Sequence, residues 1–486
     1  MVHVDKDSPK PFYRQIYEQI KNDIIKGNIK DGSKLVSTRA LAKALCVSRN
    51  TVEYAYAQLY LEGYVLNKPR SGYVVQKIEN IFSPTPENPL CKDGTTSVIS
   101  NIDNHDINIP EDISAWVHEE SDLYQYNFHS ASFSEDMFPY SLWNRMINEA
   151  LRSTDRYKMN FYNDKQGEAD LRNEIMEYLG RSRGVHCNAG QIVVCSGTQY
   201  ALDIICHLIA GKTKKFAIEE PANGSARDVI ANDGYEILPI PVNNDGIDIN
   251  ALKISNARAV LITPSHQFPT GVLMPIQNRI KIIEWAKQRN AIIVEDDFDS
   301  ELRYHSGPIP SLQSIDNNGR VVYLGTFSKA LSPDLRVSYM VLPLWLMPEY
   351  HRMFARYRPA LSWLQQKVLC QYIKEGHWER HIRRLCLSHG SKHDLLVKLI
   401  KNLMGNRVII HGTNAGTHII LEFTGGEDQT WLIKRAKEAG VKVYSTMPFW
   451  YNRENCPKNT LLIGFSRMNH DKIVEGITLL KKAWFD

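Results

Sequence analysis

The spacing of apolar residues separates the chain into two regions. In the first 77 residues they recur at intervals of three and four, as in "FYRQIYEQIKNDII" over residues 12–25, which is the period of an amphipathic helix. From residue 127 onward, short β-branched runs such as "QIVVCS", "AIIVEDD" and "RVVYLGT" alternate with helical stretches. That alternation is typical of a mostly parallel sheet covered by helices. The pattern therefore predicts an α/β protein with a small helical domain at its N-terminus.

The first region predicts a winged helix-turn-helix. Ser37 and Ser48 each stand directly before a helical stretch, "TRALAKAL" and "RNTVEYAYAQLYLEG", whose free amides a serine can cap. The run "YVLNKPRSGYVV" predicts two short strands joined by a turn that carries Lys68, Arg70 and Gly72. The start of the third helix suits a major groove, and the turn suits phosphate or the minor groove.

The apolar positions of this region also predict which helix faces are buried. On the first helix the expected buried face holds Tyr13, Ile16, Tyr17, Ile20 and Ile24. On the third helix it holds Val52, Ala55, Tyr56 and Leu59. The residues turned outward near the start of the third helix are Arg49, Asn50, Glu53 and Tyr54.

Charge divides the chain in the same way. Residues 1–77 hold 13 Lys or Arg against 7 Asp or Glu, a balance of +6 that suits a polyanion partner. Residues 78–126 hold ten acidic residues against Lys92 alone, a balance of −9, together with Pro-rich and Asn-rich stretches. We therefore predict a winged-helix domain over 1–77, an acidic linker over 78–126 and an α/β domain over 127–486.

Polar residues follow several of the predicted strands, and ligands bind at this end of parallel strands. Ser196, Gly197 and Thr198 come after "QIVVC" and open a helix, which predicts an anion cradle. Asp296 lies at the end of "AIIVEDD", where a buried carboxylate needs a cationic partner such as a protonated ring nitrogen.

A lysine and an arginine complete this set. Ser328 and Lys329 follow "VVYLGTF", and a partly buried lysine can lose its proton and add to an aldehyde. Arg336, seven residues further on, can bind a phosphate through two hydrogen bonds. Each feature alone also fits an ordinary turn or helix cap, but together they describe a pyridoxal phosphate site.

Both regions resemble known families. "PFYRQIYEQIKNDIIKGNI", "STRALAKALCVSRNTVEYAYAQL" and "LEGYV" resemble the winged helix of the GntR regulators. By that resemblance the DNA contacts are Arg39, Ser48, Arg49, Thr51, Arg70 and Gly72. The alternative, without a DNA-binding role, is a small three-helix domain with solvated lysines.

Segments of the second region resemble fold-type-I aminotransferases, and in particular the MocR subfamily, which joins such a domain to a GntR winged helix. They include "TPSHQFPTGVLMP", "IIVEDDFDSELRY" and "YLGTFSKALSPDLRVSYMVLP". The resemblance implies that Lys329 holds pyridoxal phosphate as a Schiff base, mainly for sensing, and that Asp296 pairs with the ring nitrogen. It implies a cofactor phosphate site and a head-to-tail homodimer. The implied cofactor-binding residues are Lys329, Asp296, Ser196, Gly197, Thr198, Ser328, Arg336 and Phe298.

The chain departs from the MocR pattern at two motifs. "EDDF" replaces the usual "EDDY", so Phe298 lacks the phenol expected to bond the cofactor's ring oxygen. Ala222 and Asn223 replace the usual Gly and Tyr after "EEP", which removes an aromatic ring near the expected ligand pocket. Arg467 is a candidate for binding an effector carboxylate, and we do not assign it that role.

These observations support three hypotheses. The first is a cytoplasmic transcription regulator that binds operator DNA and senses pyridoxal phosphate or its aldimine with an amine, controlling vitamin B6 or amine and amino-acid genes. The second is an active aminotransferase with a DNA-binding appendage, against which Phe298 counts. The third is a regulator whose second domain has lost the cofactor, against which Lys329, Asp296 and Arg336 count. We expect no membrane association, since the sequence shows no leader and no membrane-length apolar run.

Histidines and cysteines suggest no metal site. His377 and His381 are four residues apart, as are His389 and His393, a spacing that can bind zinc. No nearby carboxylate or cysteine completes a ligand set, and interspersed arginines repel a cation, so a solvated helix face is favoured. The eight cysteines form no CxxC pair, and we expect them to be reduced core residues.

Overall fold

A computed structural model describes residues 2–5, 8, 10–61, 64–68, 72–76, 124–130, 137–153, 160–161, 164–304, 310–358, 360–413 and 415–486. The chain divides into two compact units, Met1–Asn108 and Ile109–Asp486. Most of the predicted acidic linker, together with Arg70 in the predicted wing, lies outside the described residues. No helix among the described residues is long and apolar enough to cross a membrane.

The described part of the first unit contains three helices and a hairpin. Helices α1, α2 and α3 span Phe12–Ile25, Thr38–Leu45 and Arg49–Leu61, and the antiparallel strands β1 and β2 span Val65–Lys68 and Gly72–Val75. This is the predicted winged helix-turn-helix.

Local sequence explains where its helices begin and what they bury. The Ser37 hydroxyl accepts a hydrogen bond from Ala40 N at 3.3 Å, and Ser48 Oγ accepts one from Thr51 N at 3.1 Å, so both predicted caps are confirmed. Tyr13 is an exception to the predicted core, since it is 44% exposed and its ring lies 6.4 Å from that of Tyr54. The residues confirmed as buried are Ile16, Ile20, Ile24, Val52, Ala55, Tyr56 and Leu59.

The second unit is built on an eight-stranded sheet of order β4-β11-β10-β9-β8-β5-β6-β7. Its strands are β4 Ile192–Cys195, β5 Lys215–Glu220, β6 Glu236–Asn243, β7 Gly246–Ile247, β8 Ala259–Ile262, β9 Ile292–Asp297, β10 Val321–Thr326 and β11 Ser338–Val341. Strands β7 and β11 run antiparallel to their neighbours, and the pairs among β5, β6, β8, β9 and β10 are parallel. The predicted mostly parallel sheet is confirmed.

The described residues of this unit also form two smaller sheets. Strands β12 Val408–His411, β13 His418–Phe423, β15 Tyr444–Ser445 and β16 Thr460–Gly464 form an antiparallel sheet of order β12-β13-β16-β15. Strand β3 Tyr126–Asn127 pairs in parallel with β14 Val441–Lys442.

Helices cover these sheets and bury their apolar faces. They are α4 Tyr140–Ser153, α5 Ala169–Arg183, α6 Thr198–Ile209, α7 Gly224–Asn232, α8 Ile249–Ile254, α9 Ile276–Arg289, α10 Leu312–Ile315, α11 Met347–Met353, α12 Trp363–Lys374, α13 His377–Met404, α14 Gln429–Glu438 and α15 His470–Phe485. The central strands β8, β9 and β10 are buried along their whole length, as expected for a sheet covered on both faces.

The structure corrects two predictions about surface and core. His381, His389 and His393 are at most 3% exposed, so the predicted solvated face of α13 is wrong for them. This long helix packs on more than one side, and His381 Nε2 lies 2.7 Å from Ala330 O. Cys46, expected in the core, is exposed at the C-cap of α2.

Candidate functional site

The candidate DNA-binding face lies at the start of α3. Arg49 and Asn50 are exposed there, and Tyr54 is 71% exposed, as predicted for residues that turn away from the core. Arg49 Nε forms an ion pair with Glu53 Oε1 at 2.6 Å within the same helix. A guanidinium so exposed can exchange this partner for a phosphate or a base edge, because surface ion pairs contribute little stability.

The remaining predicted DNA contacts lie nearby in the sequence. Arg39 is exposed in the first turn of α2, and the Ser48 and Thr51 hydroxyls are 2.7 Å apart at the start of α3. Gly72 begins β2, opposite Lys68 in the hairpin. Their roles in DNA binding stay predictions.

In the second unit, strand register brings the predicted cofactor residues to one edge of the sheet. Thr326 at the end of β10 pairs with Ser338, and Ser338 pairs with Cys195 at the end of β4. The loop holding Lys329 and the turn that opens α6 therefore meet. Strand β9 lies on the other side of β10 and ends beside them with its three carboxylates.

Gly197 and Arg336 form one part of this edge. Gly197 is the N-cap of α6 with φ of 87°, a conformation that side chains other than glycine rarely adopt. A Cβ atom at this position would lie 2.8 Å from Cζ of Arg336, so the guanidinium rests against the free end of α6. The half-buried Ser196 and Thr198 flank it. A cation beside a helix N-terminus is a suitable phosphate site.

Ser328 and Lys329 form the second part. Ser328 Oγ is buried, and no hydrogen-bond partner for it is found among the described residues. The half-buried Lys329 donates from Nζ to Ser130 O at 3.0 Å, and Thr417 Oγ1 donates to the same oxygen at 2.8 Å. Burial lowers the pKa of the Lys329 amine, against the opposing influence of Asp299. A larger fraction of this amine is therefore neutral and nucleophilic than for an exposed lysine.

Asp296 and Asp297 lie side by side on β9 in different environments. Asp297 accepts from Arg183 Nε at 2.7 Å and from Tyr323 Oη at 2.5 Å. Burial opposes the charge of Asp297, but Arg183 and these hydrogen bonds outweigh it and lower its pKa. Asp296 Oδ1 is buried, and the described part of the chain offers it no hydrogen-bond partner. Burial, with Asp297, Asp299 and Glu219 nearby, raises the pKa of Asp296 to about 7.

These features suit a planar aldehyde that carries a phosphate and a ring nitrogen able to hold a proton. The phosphate would meet Gly197, Ser328 and Arg336, the ring nitrogen would meet Asp296, and the aldehyde carbon would meet the Lys329 amine. Asp296 and Ser328 have buried oxygens whose hydrogen-bonding capacity such a molecule would satisfy. Phe298 is half-buried and packs edge-on against Phe268, with ring centroids 6.0 Å apart.

The sequence-based reasoning missed several residues of this site. His266 and Asp299 form a buried pair, and His418 lies beside them, with its ring centroid 5.6 Å from that of His266. Ser130 and Thr417 also contact Lys329 or its partner. Ser130 and Thr417 come from segments far from Lys329 in sequence, so no local motif signals them. The "SHQ" and "DDFD" runs are apparent in the sequence, but no local pattern indicates that His266 contacts Asp299.

Comparisons with known proteins agree with this architecture. Residues 12–75 match the bacterial regulatory proteins of the gntR family, and residues 132–361 match aminotransferase class I and II. The uncharacterized HTH-type transcriptional regulator YdeL of Bacillus subtilis is 35% identical over 98% of this chain and 97% of its own length. The probable rhizopine catabolism regulatory protein MocR of Rhizobium meliloti is 30% identical over 100% of this chain and 96% of its own.

A solved structure supports the fold of the second unit. Pyrococcus horikoshii kynurenine aminotransferase is 26% identical, covers 77% of this chain and 93% of its own length, and superposes with a TM-score of 0.68. The chain is thus a transcriptional regulator with a DNA-binding helix-turn-helix and an aminotransferase-like domain. It belongs to the MocR subfamily of the GntR regulators.

Proposed function

We propose that this regulator binds operator DNA through α3 and the hairpin, and that its aminotransferase-like domain senses pyridoxal phosphate, alone or together with an amine. The observation that carries the proposal is the meeting of four features at one sheet edge. They are the partly buried amine of Lys329, the buried oxygen of Asp296, the Arg336 guanidinium and the free end of α6. Bound pyridoxal phosphate supplies an aldehyde that condenses reversibly with primary amines.

The residues of the chain have separate roles in this proposal. Arg336 and the α6 amides would hold the phosphate, and Asp296 would keep a proton on the ring nitrogen because a buried carboxylate is stabilised by a cation. Lys329 would hold the aldehyde, for which an amine would compete. Such competition changes what the domain contacts, and a ligand alters DNA binding only if it binds two states of the protein with different affinity.

The regulated genes and the assembly are part of the proposal. A relative, the pyridoxine biosynthesis transcriptional regulator PdxR of Corynebacterium glutamicum, is 26% identical over 97% of this chain and 96% of its own length. The names of PdxR and MocR support genes of vitamin B6 or of amine and amino-acid metabolism as the targets of this regulator. We also propose a head-to-tail homodimer, which sedimentation of the full chain would detect as a species of twice the chain mass.

Reductive trapping tests the cofactor part of the proposal directly. The full chain is incubated with pyridoxal phosphate, reduced with borohydride, digested and analysed by mass spectrometry. We expect the phosphopyridoxyl group on Lys329. Lys392, a second buried lysine, donates to Ser466 O at 3.0 Å and serves as an internal control that stays unmodified. Absence of label on Lys329, or equal label on both lysines, would refute a specific site.

The same preparation separates a sensor from an active aminotransferase. The chain with bound cofactor is mixed with amino acids and a keto acid, and new amino acid is quantified. A sensor gives at most a single turnover, and Phe298 counts against sustained catalysis because it lacks the phenol expected to bond the cofactor's ring oxygen. Sustained turnover at ordinary enzyme rates, which exceed about 1 per second, would favour the enzyme.

A further inference from the structure

His266 and Asp299 form a buried imidazole–carboxylate pair near Phe298. The proposed function gives neither residue a role in holding the cofactor. His266 Nδ1 and Asp299 Oδ2 are 2.7 Å apart, and both side chains are 2% exposed. A carboxylate only accepts hydrogen bonds, so Nδ1 of His266 donates. The other ring nitrogen, Nε2, is buried without a hydrogen-bond partner among the residues that the structure describes.

Packing holds the His266 ring in place. A Cβ atom on Gly416 would lie 2.9 Å from Nδ1 of His266, and one on Gly271 would lie 3.3 Å from Nε2. Both glycines have positive φ, so two backbone segments approach the ring as only glycine permits. The orientation of the imidazole, and with it the position of the Asp299 carboxylate, is therefore set by the fold.

The pair adjoins the amine of Lys329. Lys329 Nζ and Thr417 Oγ1 share the carbonyl of Ser130, and the residue after Thr417 is His418, whose ring lies 5.6 Å from that of His266. The ring of Phe298 lies 6.4 Å from His266 on another side. Asp299 opposes the effect of burial on the pKa of Lys329, which agrees with a carboxylate close to this amine.

The other titratable groups near Asp299 either have hydrogen-bond partners or carry less than a full charge. Asp297 is bonded to Arg183, and the pKa of Asp296 is raised to about 7, first by burial. Arg303 donates to Ser265 O at 2.8 Å. His418 is buried, and burial, together with His266 and Lys329, lowers its pKa to about 3, so its ring carries no positive charge near neutral pH. Tyr304 remains protonated, because burial and Asp299 raise its pKa further.

We propose that His266 is a positioning residue that holds Asp299 as the negative charge facing Lys329, and that this pair sets the proton affinity of the nitrogen through which the chain holds its aldehyde cofactor. The inference deepens the proposed function and rests on it. Phe298 and Phe268 lie on the same side of the site, and their side chains have no polar atom. The Asp299 carboxylate is therefore the electrostatic partner of the Lys329 nitrogen on that side.

The test is a pH titration of the absorbance of bound pyridoxal phosphate, whose spectrum changes when the nitrogen at Lys329 loses its proton. Asp299→Asn removes the charge and should lower the titration midpoint by about 1 pH unit or more, the size expected for an opposite charge within about 4–6 Å. His266→Phe should lower it in the same direction, because it removes the hydrogen bond that fixes the position of the Asp299 carboxylate. His266→Asn keeps an N–H donor for Asp299. Its titration midpoint should therefore lie between those of the wild type and His266→Phe.

A matched control uses the exposed pair of His411 and Glu422, which is 2.8 Å apart on the small sheet. Glu422→Gln should leave the midpoint unchanged. An unchanged midpoint in Asp299→Asn would overturn the inference, as would a rise in His266→Phe. If Asp299→Asn fails to fold, His266→Phe carries the test with the same measurement. Failure of the wild-type chain to bind pyridoxal phosphate would instead refute the proposed function itself.

Discussion

The two units of this regulator place their candidate binding charges in opposite environments. In the first, Arg39 and Arg49 lie on the surface, and Arg49 forms an exposed ion pair with Glu53. In the second, Asp296 and Asp297 are buried at the end of β9, and Lys329 is half-buried. Exposed charges act together on a large polyanion, whereas a buried charge needs one specific partner. The contrast supports the proposal that the first unit binds DNA and the second a small molecule.

The largest expected effect tests whether the buried charges depend on their partners. Arg183→Ala removes the hydrogen bonds at 2.7 and 3.0 Å to Asp297 and leaves that carboxylate buried without a cation. We expect the free energy of unfolding to fall by about 3–5 kcal/mol, as for other broken buried pairs. Urea unfolding measures it.

The same helix supplies the control for this experiment. Arg181→Ala, two residues earlier on α5, removes only exposed contacts with Glu177 and Glu379. Its effect should stay below about 1 kcal/mol. Equal losses for Arg181 and Arg183 would break the distinction between exposed and buried charge.

The next effect concerns the pH dependence of Asp296. Its pKa rises from the usual 3.8 to about 7 on folding, so the stability it contributes is complete below pH 4 and is lost as the pH rises through 7. Asp296→Asn should remove about 3 kcal/mol of the wild-type decline in unfolding free energy between pH 5 and pH 8, since two pH units separate pH 5 from the raised pKa and each contributes ~1.4 kcal/mol.

Urea unfolding of the cofactor-free protein at both pH values checks this expectation. Glu219, Glu295 and Glu301 also have raised pKa values, so the decisive quantity is the difference between the variant and the wild type. If the unfolding free energies of the variant and the wild type change equally with pH, the pKa of Asp296 is not raised by folding.

A smaller effect tests the exposed face. Arg49→Ala should weaken binding to operator DNA by about 1–3 kcal/mol, and Glu53→Ala should not weaken it, because loss of Glu53 frees the guanidinium. Fluorescence anisotropy at fixed salt measures both. Arg145→Ala removes an exposed arginine of the second unit and is the control. DNA affinity that falls equally for Arg49 and Arg145 would contradict the assignment.

The smallest effect concerns Ser328. Its buried hydroxyl lacks a hydrogen-bond partner in the described residues, so Ser328→Ala should leave the stability of the cofactor-free protein nearly unchanged. It should weaken retention of pyridoxal phosphate by about 1 kcal/mol, the usual net contribution of one hydrogen bond. Equilibrium dialysis measures the retention. A loss of stability with unchanged retention would place this hydroxyl in the core rather than in the site.

Local pattern predicted much of the fold, because strands and caps have local signals. The runs that became β4, β5, β8, β9 and β10, and both serine caps, could be read directly. The antiparallel direction of β11 and the exposure of Tyr13 could not, since each depends on which distant segment packs alongside. The same holds for α13, where His381, His389 and His393 follow a polar pattern but are buried.

The meeting of Asp296, Lys329 and Arg336 at one sheet edge could be predicted from local motifs, and their roles stay predictions. Asp296 lies near the end of β9, Lys329 follows β10 and Arg336 precedes β11, and the parallel sheet brings strand ends together. The pairing of His266 with Asp299 joins the segment after β8 to the end of β9, and Ser130 reaches Lys329 across 199 residues. Contacts of such long sequence separation follow from tertiary packing and leave no periodic signal.

The most direct test of the central claim is the affinity of the chain for the DNA upstream of its own gene, with and without pyridoxal phosphate, for the wild type and Lys329→Ala at one salt concentration. A sensor predicts that the cofactor, alone or with an amine from a panel, changes wild-type affinity by about 5-fold or more and leaves the variant unchanged. Wild-type affinity that ignores every form of the cofactor, or a variant that responds equally, would contradict it.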